Sequence, residues 1–215
     1  MNDDGERYMN GGDGDILFAG KPIAHLHKVY ISGEIKDPEK YVDVFETIRN
    51  AGENDTIYLH INSPGGNAFT AIQFLRVLSD TKATVIASVE GLCMSAATLI
   101  FMAARHHEVT NHSMFMFHNY ASRVEGKGGE MKDHILHHST WGEELYHDIY
   151  AEFLSKEEIQ QILNGKDLYM GSKDVAKRLE KRNQAILKIA EKNSKPERKP
   201  RKPQLALPNR NVISL

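Results

Sequence analysis

The stretch Ala83-Thr84-Val85-Ile86-Ala87-Ser88-Val89-Glu90-Gly91-Leu92-Cys93-Met94-Ser95-Ala96-Ala97-Thr98-Leu99-Ile100-Phe101-Met102-Ala103 decides the fold. Its first seven residues are mostly apolar and rich in β-branched side chains, which suits a buried strand. Gly91 breaks that run, and the small and apolar residues from Ala96 onward suit a buried helix. The reading is strand, tight turn, helix, with the Ser95 hydroxyl at the helix start. A serine there lies in the positive field of the helix N-terminus and beside backbone N–H groups that the helix leaves unpaired. A nucleophile that must build up an oxyanion needs such surroundings. A plain N-cap would also place serine there, so the rest of the chain has to decide.

Outward from this stretch, strand and helix alternate. Lys28–Ser32 reads as a strand, and Asp37-Pro38 opens a helix with Tyr41, Val44, Phe45 and Ile48 on its apolar face and Gly52 at its end. Thr56–Asn62 is the next strand, and the turn Ser63-Pro64-Gly65-Gly66 leads to a helix burying Phe69, Ile72, Leu75 and Leu78. Short strands are expected at His107–Thr110 and Met114–His118. This alternation predicts an α/β fold, a parallel sheet covered by helices. Beyond Tyr120 the pattern changes. Gly126–Gly129 reads as an exposed loop, Glu130 to Phe153 as a long helix carrying Ile135, Trp141, Leu145 and Ile149 to one side, and Ser155 with Glu158 as a capping box for Lys156–Leu163. Asp167–Met170 is a short extended piece, and a last helix runs from Ser172 to about Glu191.

The bulk composition narrows the class. At 215 residues and 40% hydrophobic content the chain suits one globular domain with a real core. A formal net charge of -2 argues against a general nucleic-acid binder. The single cysteine, Cys93, excludes an internal disulfide and reads as a buried hydrophobe. No apolar run reaches membrane-spanning length and the acidic N-terminus is no signal peptide, so a cytoplasmic protein without membrane attachment is expected. The expected organisation is a mobile N-terminal segment over 1–20, a domain over 21–191 with a protruding helical excursion at about 124–163, and a basic, proline-rich tail over 192–215. That tail could meet an acidic partner.

A serine nucleophile needs a base, and the base needs an acceptor to orient it. Of eleven histidines, His118 ends a short apolar strand and is the directed one; His25, His27, His106, His107, His112 and His147 read as solvated. Asp167 is a candidate acceptor, with Asp174, Asp148 and Asp133 as competitors that spacing leaves open. The helical spacing of His134, His137 and His138 suggests zinc at first sight, but no carboxylate or Cys pattern accompanies it. No metal and no cofactor is expected.

Ile61-Asn62-Ser63-Pro64-Gly65-Gly66, then Gly91 four residues before Ser95, then Phe117-His118, then Asp167-Leu168-Tyr169-Met170, resemble the proteolytic subunit of the Clp protease (ClpP, peptidase S14) in order and approximate spacing. The resemblance covers about Val29 to Ala176. It implies a ClpP/crotonase-like fold with a handle helix, and a serine endopeptidase acting on unfolded or delivered polypeptides inside a homo-oligomer of stacked heptameric rings. It implies Ser95 as nucleophile, His118 as general base and acid, and Asp167 as orienting carboxylate. The Gly66 and Ala96 N–H groups would form the oxyanion hole, and Gly65, Gly66, Gly128 and Gly129 would pin an extended peptide. An AAA+ unfoldase is the implied partner. The sequence departs from the family at Ala96, where Met is usual, in its N-terminal region, and at Arg178-Leu179-Glu180, where the last helix continues without glycine. Such divergence suits a phage-type enzyme maturing capsid or scaffold proteins, with the tail meeting a capsid partner. A crotonase-like acyl-CoA enzyme or an inactive scaffold shares the fold.

Overall fold

The computed structural model describes residues 7–10, 17–20 and 23–194. Two short strands, β1 (Arg7–Asn10) and β2 (Leu17–Gly20), pair antiparallel. The basic tail beyond Ser194 lies outside the described residues.

The main sheet follows. It is built from β3 (Leu26–Ile35), β4 (Thr56–Gly66), β5 (Thr84–Met94), β6 (His106–Val109), β7 (Met114–Phe117) and β8 (Leu168–Gly171). Its order is β3-β4-β5-β7-β8, with β6 paired to β5. All pairs are parallel except β7 with β8. The central strand β5 is shared lengthwise. Ile86–Val89 pair with His106–Val109 of β6, and Leu92–Met94 pair with Met114–Met116 of β7.

The helices are α1 (Val42–Asn50, entered through a 3-10 turn at Pro38–Tyr41), α2 (Ala68–Asp80), α3 (Ala96–Ala103), α4 (Gly128–Tyr150), α5 (Lys156–Leu163) and α6 (Ser172–Ser194). Ser155 and Glu158 form the expected capping box on α5. The last helix runs on as its sequence implies, and Arg178 ties it to α5 with two hydrogen bonds to the Glu158 carboxylate at 2.8 and 2.6 Å.

Burial alternates strictly along β4. Ile57, Leu59, Ile61 and Ser63 are buried under helices, while Tyr58, His60 and Asn62 face the other way. The core gathers the covered face of β3, β4 and β5 against α1, α2 and α3, apolar but for Thr98, with Phe45, Phe74 and Phe101 fully buried.

Three expectations need correction. Ser63-Pro64-Gly65-Gly66 is not a turn but the last part of β4. A central strand rarely admits proline, because proline cannot donate to the ladder. Here the register shifts on both flanks of Pro64, between Ser32 and Glu34 on β3 and between Ile61 and Ser63 on β4, and the proline sits in that irregularity. Phe69 is exposed rather than buried, since α2 turns Thr70, Ala71, Phe74, Val77 and Leu78 to the core; Phe69 stacks on Trp141 instead, at 5.7 Å. Gly128 and Gly129 are not loop but the first turn of α4, after Lys127 at the N-cap.

Candidate active site

The parallel strands end at one edge of the sheet, where α/β folds hold their ligands. β4 delivers Gly65 and Gly66 there, β5 delivers Ser95, and β7 delivers His118. The fit between the first two is close. A side chain on Gly65 would meet the Ser95 Cβ at 2.6 Å, the Met94 carbonyl oxygen at 2.7 Å and the Ala96 nitrogen at 3.0 Å, and the backbone there has φ +97. Only glycine satisfies both conditions. At Gly66, with φ +145, an added Cβ would strike the Ile35 carbonyl oxygen at 2.3 Å.

Ser95 stands between β5 and α3 with φ 53 and ψ -128, a strained backbone for a residue other than glycine. It holds the N-cap position, yet its side chain makes no cap hydrogen bond. Its backbone is fixed instead. The Ser95 N–H donates to the Met116 carbonyl at 2.9 Å, and the Ser95 carbonyl accepts from the Thr98 N–H at 2.9 Å and from the Thr98 hydroxyl at 2.6 Å. Thr98 also meets the Tyr150 hydroxyl at 2.6 Å, which links the serine turn to the handle helix α4. Burial pushes the Tyr150 phenol far above its ordinary range, so it stays protonated and can donate that bond.

The Ser95 hydroxyl is therefore free to go elsewhere, and it lies 2.6 Å from His118 Nε2. The register explains why these two meet. Met94 pairs with Met116; Ser95 follows the last residue of β5, and His118 follows Phe117, the last residue of the neighbouring β7. With the imidazole neutral and its proton on Nδ1, the serine O–H donates to Nε2.

Asp167 approaches from β8. The antiparallel ladder runs from Met114–Gly171 to Phe117–Leu168, and His118 and Asp167 are the residues just beyond its last pair. Asp167 is exposed, and among the described residues no hydrogen bond joins its carboxylate to the His118 ring. Asp133, Asp148 and Asp174 make no such bond either among the described residues, and Asp174 begins α6.

Ser95 and His118 open on a cavity of about 450 Å³. Gly66 and Ala96 contribute to its wall beside Ser95, and Phe69, Leu99, Met116, Trp141, Leu145 and Tyr150 make much of the rest. Gly128 and Gly129 are exposed on the first turn of α4 and are not part of this wall, so the structure does not bring them to Ser95. Cys93, two residues from Ser95, is a buried residue of β5, and its thiol is pushed well up by desolvation, which leaves it protonated and inert. Sequence reading missed Thr98 and Tyr150 as supports of the serine. A threonine three residues after a helix-start serine is the available signal for the first, whereas Tyr150 arrives from a distant helix that spacing cannot place.

The comparisons with known proteins bear on the family and the fold. A sequence model described as Clp protease matches residues 22–189. ATP-dependent Clp protease proteolytic subunit 2 of Treponema denticola is 27% identical over 139 residues, covering 62% of this chain and 68% of the relative. Among solved structures, a ClpP1 mutant from Listeria monocytogenes aligns with a TM-score of 0.58 at 24% identity, over 71% of this chain and 86% of that one. That structural likeness carries the fold: a ClpP-like α/β arrangement of a mostly parallel sheet with flanking helices. With the family model spanning most of the sequence, from the first strand of the main sheet into the last helix, the chain belongs to the Clp protease family.

Proposed function

We infer that this ClpP-type peptidase is a serine endopeptidase, with Ser95 as nucleophile, His118 as general base and acid, and Asp167 as the carboxylate that orients the imidazole. The observation that carries the reading is the 2.6 Å approach of His118 Nε2 to a serine hydroxyl that makes no cap bond of its own. His118 takes the Ser95 proton as Oγ attacks the peptide carbonyl. The tetrahedral oxyanion is held by the Gly66 and Ala96 N–H groups. His118 then protonates the departing amine, and water releases the acyl group by the same path in reverse. The bare Gly65–Gly66 backbone at the end of β4 offers an extended substrate a strand to pair with. The domain acting in this way covers 21–191, with 124–163 as its handle.

The reading extends to assembly. On the face of β3 and β4 that carries Tyr30, Tyr58 and His60, Tyr30 is 63% exposed among the described residues, whereas parallel sheets normally have both faces covered. Ile135 and Leu136 are exposed on the handle helix α4. These surfaces support a homo-oligomeric ring enclosing the sites in the cytoplasm, fed with polypeptide by an AAA+ unfoldase. No helix of the described residues is long and apolar enough to cross a membrane. Nothing in the site favours acyl-CoA chemistry.

The test combines a serine-reactive fluorophosphonate with native mass measurement. One label per chain that disappears in Ser95→Ala and His118→Ala, on a ring-sized assembly, is the expected result. Labelling that survives Ser95→Ala removes the nucleophile from the proposal.

A further inference from the structure

The edge of the sheet remote from Ser95 carries a second cluster of reactive side chains. Strands β3 and β4 begin side by side, with Leu26 paired to Thr56 and His27 to Ile57. His25 and Asp55 are the residues just before each strand. Their backbones are clamped together: Thr56 N–H donates to the His25 carbonyl at 2.8 Å, and His25 N–H donates to Asp55 Oδ1 at 2.7 Å. The other carboxylate oxygen, Oδ2, accepts the Gly52 N–H at 2.7 Å. The carboxylate is thus held rigid by two backbone donors, one on each oxygen.

Two imidazoles face this carboxylate. His25 Nδ1 lies 3.3 Å from Oδ1, and His27 Nε2 lies 3.7 Å from Oδ2. His25 and His27 are two apart at the start of an extended strand, so they project to one side. At 3.7 Å the His27 contact is too long for a hydrogen bond. His27 Nε2 is nonetheless buried, and among the described residues it has no hydrogen-bond partner. A buried ring nitrogen without a partner is costly unless something sits between it and its neighbours.

The spacing fits a metal shell. Donor atoms at about 2.0–2.2 Å from a tetrahedral ion stand roughly 3.3–3.6 Å from one another. The His25 Nδ1 to Oδ1 separation falls in that range, the His27 Nε2 to Oδ2 separation, to the other carboxylate oxygen, lies just outside it, and one donor atom from each of the three residues can be taken so that all three lie within 4.8 Å of one another. Two neutral imidazoles and one carboxylate form a nitrogen and oxygen set suited to zinc and its first-row neighbours, with the remaining position left to water. The His25 side chain is 59% exposed, so an ion can enter from solvent. We propose that His25, His27 and Asp55 form a binding site for a divalent transition-metal ion of the zinc type, stapling the edge strand β3 to β4 at the end of the sheet opposite the Ser95 cavity.

The site is independent of the Ser95 chemistry and is tested without it. Isothermal titration of the full chain with Zn²⁺ alone should show one ion bound per chain at this site. His27→Ala and, separately, Asp55→Asn should weaken that binding about tenfold or more. Asn keeps an acceptor for only one of the two backbone donors, whereas His27→Ala leaves the whole clamp untouched, so loss of binding in His27→Ala need not mean loss of fold. Zn²⁺ should raise the Tm of the wild-type chain and leave that of His27→Ala where it was. The double variant His134→Ala, His138→Ala removes the histidine pair on α4 and should bind zinc as the wild type does. Wild-type affinity in His27→Ala, no zinc uptake by the wild-type chain, or loss of all binding in the α4 double variant would each overturn the assignment.

Discussion

Gly65 at the end of β4 and Ser95 at the end of β5 are packed so closely that no side chain fits between them: a Cβ at Gly65 would lie 2.6 Å from that of Ser95. The glycine therefore sets where the serine stands, in addition to any part it plays in binding. Gly65→Ala must push the serine turn away and also adopt a φ of +97 that alanine resists. Displacements of about 1 Å near a reacting atom can cost about 100-fold in rate. Peptidase activity should fall by at least that factor in Gly65→Ala, while fluorophosphonate labelling slows rather than vanishes. An alanine variant with wild-type kcat/KM would show that the turn is pliable.

The backbone of Ser95 stores strain that a smaller residue can release. Its φ of 53 with ψ -128 costs about 1–3 kcal/mol for a residue with a Cβ, and glycine avoids that cost. Glycine gives back about 0.5–1 kcal/mol through its freer unfolded chain. Ser95→Gly should thus be more stable than Ser95→Ala by about 1 kcal/mol in urea denaturation. Both should lose peptidase activity by several orders of magnitude. Equal stability of the two variants would mean the turn relaxes once the hydroxyl is gone.

Asp167 lies just beyond the last pair of the β7–β8 ladder, Phe117 with Leu168, as His118 does on the other strand. If it orients the imidazole, Asp167→Asn should lower kcat by about 100-fold or more with little change in KM, because the wrong tautomer of His118 is then favoured. Asp174→Asn and Asp148→Asn should leave kcat close to wild type. Full activity in Asp167→Asn with loss in one of the others would move the role to that residue.

Much of this was legible in the chain. The apolar run before Gly91 and the small residues after Ser95 fix β5 and α3 locally, and His118 stands out because it ends a strand of four apolar residues. What failed to show was decided by distant contacts. Pro64 and two glycines read as a turn, but β3 and β5 on either side keep that segment extended through a shifted register. Phe69 reads as core, yet Phe74 and Val77 rotate α2 so that Phe69 meets Trp141 of a helix sixty residues further on. His25 is exposed as its reading expected, but nothing near it in the chain shows that Asp55, just before β4, faces it and the half-buried His27.

Thr98 connects the serine turn to α4 through two short bonds, donating to the Ser95 carbonyl and meeting the Tyr150 hydroxyl. Thr98→Val keeps the shape but leaves a buried phenol without an acceptor, at a cost of about 1–3 kcal/mol. Tyr150→Phe removes the phenol itself and should cost less, about 1 kcal/mol, since the Thr98 hydroxyl keeps the Ser95 carbonyl as its acceptor. Thermal unfolding of the two variants should rank them in that order. Thr98→Val should also lower kcat by loosening Ser95, and a Tyr150→Phe variant less stable than Thr98→Val would refute the assignment of donor and acceptor.

His107 on β6 gives the fold a pH dependence whose sign follows from its surroundings. Its Nε2 lies 3.1 Å from the Phe101 carbonyl, so that nitrogen carries the proton and donates, while Nδ1 is buried with no partner among the described residues. A second proton would sit on Nδ1 with nothing to receive it. Burial, reinforced by the charge of Arg182, pushes His107 down to about 4. The unfolded chain binds that proton from about pH 6.5 downward, whereas the folded chain resists until about pH 4. Stability is therefore intact above pH 6.5 and is lost as the pH falls through this window, by about 2–3 kcal/mol at pH 4.5. His107→Gln keeps a donor for the Phe101 carbonyl and cannot titrate. Urea midpoints at pH 7 and pH 4.5 should draw together in this variant compared with the wild-type chain. The same drop in both would place the acid sensitivity on other groups.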